Sequence, residues 1–327
     1  MTVGVPDVVA RIRRVVADLP PASAAASAHH FGWVEPGAAP IGKMLRARLA
    51  LTSAAAAGAS RSDAVTAAVA VELVHNFSLL HDDVMDGDRM RRNRPAAWTI
   101  AGTSVATLAG TALLVEAVGL LQASSAAGAS AATARLIRQT RRLIRGQDAD
   151  LRFETQSRTG IDECLTMAAD KTSSLIACAC ALGAELSGAP PDLVVALDEF
   201  GEHLGLAYQL VNDLMDLWGD VRDLGRPRFS DIRAGKKSLP IVAALNGDSS
   251  YAVRLRACYA GTAALDDDGC RAVVELAEKA GGRAWAERKV ADHAAVAADR
   301  LRDMPVPPAV RIDFTRILGR IAGHEPL

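Results

Sequence analysis

The chain has 327 residues, half of them hydrophobic and only 4% aromatic, with 37 Lys and Arg against 38 Asp and Glu. That length allows a large buried core, and so few aromatics suit close-packed helices better than sheets. A net charge of −1 excludes recruitment of nucleic acid or an anionic membrane by a global field, so charge-driven recognition has to be local.

In chain order, helical periodicity predicts helices over 5–18, 42–58, 62–86, 102–125, 128–156, 161–187, 191–218, 238–246, 250–262, 268–280, 282–302 and 310–322. The opening "MTVGVPDVVARIRRVVADLPP" has no apolar h-region or cleavage site and reads as no secretion signal. The Ala/Ser/Pro-rich stretch 20–40 is expected to be loose. The apolar stretch Ala64 to Leu80 carries Glu72, His75 and Asn76, and no uninterrupted run is expected to reach membrane-spanning length. In "SGAPPDLVVAL", Gly188 closes one helix and Pro190-Pro191 open the next. No strand is expected. Five cysteines (Cys164, Cys178, Cys180, Cys258, Cys270), odd in number and without a CxxC pair, point to a reducing compartment and a cytoplasmic protein. The expected fold class is all-α, a single-domain bundle of roughly ten to thirteen helices around a central cavity. Residues 1–40 form its N-terminal part, 42–240 its core and 241–327 its C-terminal helices.

Charge of both signs gathers where the third predicted helix ends, in "SLLHDDVMDGDRMRRNRP". Asp82 and Asp86 stand at i and i+4 and share a helix face, with His75 two turns earlier on the same stripe. "DVMD" (83–86) is echoed as "DLMD" (213–216), and Asn212, Asp216 and Asp220 repeat the i, i+4 spacing on a second helix, with Gln209 one turn before. Facing carboxylates in a bundle repel unless cations lie between them, and oxygen-only donors favour Mg²⁺ over zinc. Mg²⁺ on few carboxylates completes its shell with substrate phosphates, and the arginines that follow would grip the remaining diphosphate oxygens bidentately. A single such string also reads as a solvated, self-neutralising helix end; two in matching helical contexts favour the metal site.

Six ordered motifs carry a resemblance: "GKMLRAR", "VELVHNFSLLHDDVMDGDRMRRNRP", "GQDADL", "KTSSLI", "FGEHLGLAYQLVNDLMDLWGD" and "GRPRFSDIRAGKKSLP". From Gly42 to Pro240 the chain resembles the trans-isoprenyl diphosphate synthase (polyprenyl synthetase) family, especially bacterial short-chain geranylgeranyl and farnesyl diphosphate synthases. The resemblance implies the isoprenoid synthase fold and a homodimer. It implies a prenyltransferase that joins isopentenyl diphosphate to an allylic diphosphate with the help of about two or three Mg²⁺ ions. Carried over residue by residue, Asp82, Asp86, Asn212 and Asp216 would hold metal, with Asp83 in support. Arg91 would hold the allylic diphosphate, with Lys171, Thr172, Gln209, Arg226 and Lys236 on the same side and Gln147 and Asp150 close by. Arg92, Lys43, Arg46 and His75 would form the isopentenyl diphosphate site. Asp82, Asp86, Arg91 and Lys171 are the residues on which catalysis would rest.

Taken one at a time these residues also have plainer readings. Lys43 and Arg46 fit surface charge, His75 a core histidine, Lys171 an ion pair with Asp170, and Trp218 simple packing. Three positions depart from the family pattern: Asn212 replaces an aspartate, Arg226 a lysine and Ile41 a glycine. Asn212 also suits the Asn-led second motif of a class I terpene cyclase on the same fold, the main alternative. A non-catalytic partner subunit is the third, at odds with the intact Asp82/Asp86 pair. Phe77, five residues before Asp82, is the expected floor of the tunnel that receives the growing chain. Ser78 leaves room beside it, which favours geranylgeranyl over farnesyl diphosphate as product; Phe77 also reads as ordinary core.

Overall fold

A computed structural model describes residues 4–34, 42–156, 158–219, 229–233, 235–260 and 265–323. In α1 (Val5–Ala17), Val8, Ile12, Val15 and Val16 form one buried stripe at helical spacing. The stretch expected to be loose holds α2 (Pro21–Phe31). Pro21 sits at its first turn, where a missing N–H leaves no bond unmade, and Gly32 closes it at φ 75°. Then come α3 (Leu45–Ala56) and α4 (Arg61–Met85), the latter capped by Ser60, whose hydroxyl accepts from Asp63 N at 3.1 Å. A two-residue pair, β1 (Met90–Arg91) with β2 (Arg94–Pro95), follows α4 directly; it is antiparallel, with Arg91 opposite Arg94.

α5 (Ala97–Ala101), α6 (Thr103–Gln122) and α7 (Ala129–Thr155) follow. The helix expected over 161–187 is α8 (Ile161–Ala168) running into α9 (Ser174–Leu186) through a π-helical turn, Ala169–Ser173. α10 (Pro191–Trp218) starts at the proline pair. α11 (Ser230–Arg233), α12 (Leu239–Leu245), α13 (Ser250–Ala260), α14 (Asp267–Lys279), α15 (Gly282–Asp303) and α16 (Pro308–Ala322) complete the bundle. The all-α expectation holds, and the extra segments arise from α2, short α5 and α11, and the split at the π-turn.

At the centre stands α9, every residue of which is buried except Glu185. Its run of Ala, Cys and Gly makes it narrow, so α3, α7 and α10 pack closely around it. A methyl on Gly183 would lie 2.4 Å from Ala50 O of α3. α4 packs against α3, α6 and α9. The core is continuous from α1 to α10 and on through α12, α15 and α16; a second apolar cluster joins α11 to α14.

By length and mean hydropathy, 1.3 and 1.8, α4 and α6 could each cross a membrane, although a charged residue interrupts the apolar run of both. Of the α4 stretch 72% is buried inside the bundle, whereas only 33% of the α6 stretch is. Glu116 is the one charged side chain of α6. Its outer face leaves Leu108 and Val115 exposed, and α7 leaves Ile137 and Ile144 exposed.

Candidate active site

The helices around α9 leave a cavity of about 590 Å³ between α3, α4, α7, α10 and the N-terminus of α12. Asp82 and Asp86 enter it from the end of α4, Asn212 and Asp216 from α10. The two acid strings therefore share one chamber, as their spacing predicts. Asp220 and Arg226 lie outside the described residues, as does Ile41.

Electrostatics in this chamber follow from burial. Loss of water pushes the Asp82 carboxyl up to about 6, and the charge of Asp86 one turn away adds to the rise against the pull of Lys171. Lys236 Nζ reaches Asp86 Oδ2 at 2.6 Å, while Asp86 Oδ1 is buried with no hydrogen-bond partner. Across the cavity Lys171 Nζ pairs with Asp150 Oδ2 at 2.6 Å, not with the adjacent Asp170. Each ammonium thus stands where a carboxylate would otherwise face only its own kind.

The β1–β2 turn explains the arginines. Arg92 and Asn93 hold φ of 53° and 60°, the left-handed pair that a two-residue hairpin turn requires. For Arg92 this is a strained conformation, the kind retained where function needs it. The turn separates the two guanidinium groups. Arg91 bonds Asp83 through both Nε, at 2.7 Å, and Nη2, and extends toward Asp88. Asp83, expected in support of the metal, is buried and accepts from Arg91. Arg92 turns toward α3, where its Nε would lie 3.2 Å from a methyl on Gly42.

Around Arg92 a second cluster of charged side chains forms. Lys43 just before α3, Arg46 of α3, Glu72 and His75 of α4 and Arg92 of the turn all line the cavity. Arg46 is buried with its Nε unpaired, and Arg92 Nη1 is buried without an acceptor. Glu72 Oε1 accepts from Ala47 N at 2.9 Å and fixes the start of α3 on α4. Burial, then Arg46 and Arg92, hold the His75 imidazole well below its usual range, so it is neutral. Unmet donors on two buried guanidiniums fit a bound anion.

On the opposite wall Thr172 Oγ1 donates to Gln209 Oε1 at 2.6 Å, and Gln209 Nε2 donates to Asp213 Oδ1 at 2.6 Å. Asp213 Oδ2 accepts from Leu239 N at 2.9 Å, tying α10 to α12. Gln147 lines this region with both amide atoms buried and unpaired. Leu79, Leu143, Met167, Leu175, Val211 and Met215 supply apolar wall.

Phe77, expected as the cavity floor, is not among the lining residues. Its buried ring packs edge-on against His81 at 4.8 Å between centroids, and its neighbour Ser78 lines the wall. Trp218 is also outside the lining and lies under Arg283, 5.7 Å from the ring centre. Sequence reasoning missed Glu72, Tyr208, Asp213 and Lys237. Glu72 had a visible signal, an acid in an otherwise apolar stretch on the helix that bears His75. Lys237 had none; its ammonium caps the end of α7 by donating to Phe153 O at 2.6 Å and to Gln156 O.

Among the described residues no three His, Cys, Asp or Glu side chains already converge as a metal cluster. The oxygen donors and the unpaired buried Asp86 Oδ1 nonetheless fit a hard cation that completes its shell with water and ligand oxygens.

Residues 34–277 match the family model described as "Polyprenyl synthetase". The chain is 40% identical over 303 residues to a (2E,6E)-farnesyl diphosphate synthase of Mycobacterium tuberculosis, covering 90% of this chain and 84% of the relative. It is also 40% identical over 307 residues to a geranylgeranyl diphosphate synthase of the same organism, covering 92% and 86%. A crystal structure of a polyprenyl synthetase from Streptomyces coelicolor A3(2) superposes with a TM-score of 0.92 at 38% identity, over 97% of this chain and 96% of the other.

Proposed function

Because this chain belongs to the polyprenyl synthetase family, we propose that it joins isopentenyl diphosphate to an allylic diphosphate, releasing inorganic diphosphate and a longer prenyl diphosphate. One observation carries this reading: a single cavity is lined by acids from two helices and by Arg46 and Arg92, each with a buried guanidinium nitrogen that meets no acceptor. Two diphosphates of different chemistry fit those two environments.

In this account Lys43, Arg46, His75 and Arg92 hold isopentenyl diphosphate. Arg91, Lys171, Thr172, Gln209 and Lys236 hold the allylic diphosphate. Asp82 and Asp86, with Asp216 and Asn212 opposite, would hold Mg²⁺, which supplies positive charge to the departing diphosphate. The allylic C–O bond breaks with its electron pair going to the diphosphate, and the lysines and Arg91 share the charge that develops there. The isopentenyl double bond then forms the new C–C bond, and the proton lost from the adjacent carbon goes to the departing diphosphate. Leu143, Leu175, Val211 and Met215 keep water from the cation.

A short-chain product, geranylgeranyl ahead of farnesyl diphosphate, is our reading, with Phe77, packed on His81 outside the cavity lining, as the limit on length. Residues 42–240 act as catalytic core within one domain. The exposed apolar faces of α6 and α7 support a homodimer. A class I cyclase handles one diphosphate and has no use for the second anion environment.

The test is incubation of the purified chain with Mg²⁺, labelled isopentenyl diphosphate and, in turn, dimethylallyl, geranyl and farnesyl diphosphates, read by mass spectrometry. Label in a longer prenyl diphosphate is the expected result. Unlabelled cyclic hydrocarbon from the allylic substrate alone would establish the cyclase, and no turnover without a second protein would establish the partner subunit.

A further inference from the structure

Lys171 and Thr172 face the cavity from the π-turn, a conformation of poorer geometry than the α-helix on either side. Such turns persist where the surroundings over-determine them. What holds this one is Asp170, the buried residue that no step of the chemistry above uses. Arg142 Nε meets its Oδ1 at 2.9 Å and Arg145 Nε its Oδ2 at 2.8 Å. Arg142 is itself fixed by Gln139 Oε1 at 3.2 Å and by Glu202 of α10. The Asp170 carbonyl accepts from Ser174 Oγ at 2.6 Å.

Two glycines complete the seat. A methyl on Gly146 of α7 would lie 2.2 Å from Lys171 N, and one on Gly205 of α10 would lie 2.5 Å from Ser173 Cα. The turn is thus pressed between two helix backbones and pinned by a carboxylate gripped on both oxygens. From that seat Lys171 Nζ reaches Asp150 and Thr172 Oγ1 reaches Gln209, each at 2.6 Å.

We propose that Asp170, clamped by Arg142 and Arg145, is a positioning residue that sets the π-turn so that Lys171 and Thr172 meet the allylic diphosphate. It rests on the functional assignment above. Asp170 touches no substrate and acts only through the two residues that follow it. The clamp lies on the allylic side, and the bonds of Arg142 and Arg145 go to Asp170, Gln139 and Glu202 rather than to Arg46 or Arg92, so its loss separates the two substrates kinetically.

The experiment uses Arg145→Gln, whose side chain is 66% exposed and whose loss leaves the bundle folded, together with Asp170→Asn. Both variants raise KM for the allylic diphosphate about tenfold, a misplacement effect, and leave KM for isopentenyl diphosphate within about twofold. Arg145→Lys, which keeps charge but not the planar fork, restores part of the loss. Amide exchange across 169–175 rises in both variants, a readout independent of turnover. Equal changes in both KM values, or unchanged KM and exchange in Arg145→Gln, overturn the proposal even if Asp170→Asn fails to fold. A wild-type chain inert toward both substrates overturns the functional assignment instead, and the exchange data still decide whether the clamp holds the turn.

Discussion

Asp82 shows how burial and function oppose each other in one side chain. Its carboxyl titrates at about 6 in the folded protein, above the roughly 3.9 of an unfolded chain. The folded state holds that proton more tightly, so stability falls as pH rises from about 4 to 6 and the penalty persists above. Asp82→Asn therefore raises Tm at about pH 7.5 in metal-free buffer, and the gain disappears below about pH 4. Equal Tm shifts at both pH values contradict this origin. The same change lowers turnover by about 10²–10³-fold, the cost of one lost charge-stabilising group. Phe77 gives a second check: Phe77→Ala lengthens the product seen by mass spectrometry, and an unchanged product spectrum discards its role. The Asp82/Asp86 and Asn212/Asp216 stripes were readable because helical spacing alone brings them together. The roles of neighbouring Asp83 and Asp213 were not, since adjacency in sequence says nothing of which way a side chain turns. Asp83 turns to Arg91, and Asp213 to Leu239 N.

Between helices the decisive contacts are backbone approaches and buried ties. Asp213→Ala leaves Leu239 N without its acceptor at the α10–α12 junction and costs about 1–3 kcal/mol of stability, read by urea denaturation. Gly183→Ala drives a methyl toward Ala50 O of α3 and costs a similar amount, about 1–3 kcal/mol. Wild-type midpoints for either variant contradict the packing described. The long helices were legible from periodicity and punctuation. α2 was not, because Ala and Ser carry little amphipathic signal and the Ala/Ser/Pro-rich composition of 20–40 reads as loose, although Pro21 opens the helix. The π-turn was invisible for another reason: it depends on Gly146, Gly205 and the Arg142–Asp170–Arg145 clamp, which meet only once α7, α9 and α10 pack. The arginine hairpin hid behind a turn lacking the usual glycine, with Asn93 supplying one of the two left-handed positions.

Across the bundle as one body, apolar surface and anion sites lie apart. Leu108 and Val115, 56% and 63% exposed on α6, stand seven residues apart and so share one helix face. Leu108→Glu with Val115→Glu shifts sedimentation from dimer to monomer while helicity by circular dichroism is unchanged; a wild-type monomer contradicts the self-association assigned to that face. We propose that the cavity holds two diphosphate environments, of which only one depends on metal. Calorimetric titration of isopentenyl diphosphate into the chain in EDTA tests it most directly. Binding without metal is the expected result, lost in Arg46→Gln and Arg92→Gln and retained in Asp82→Asn. No binding without Mg²⁺, or equal binding by both arginine variants and wild type, would contradict it.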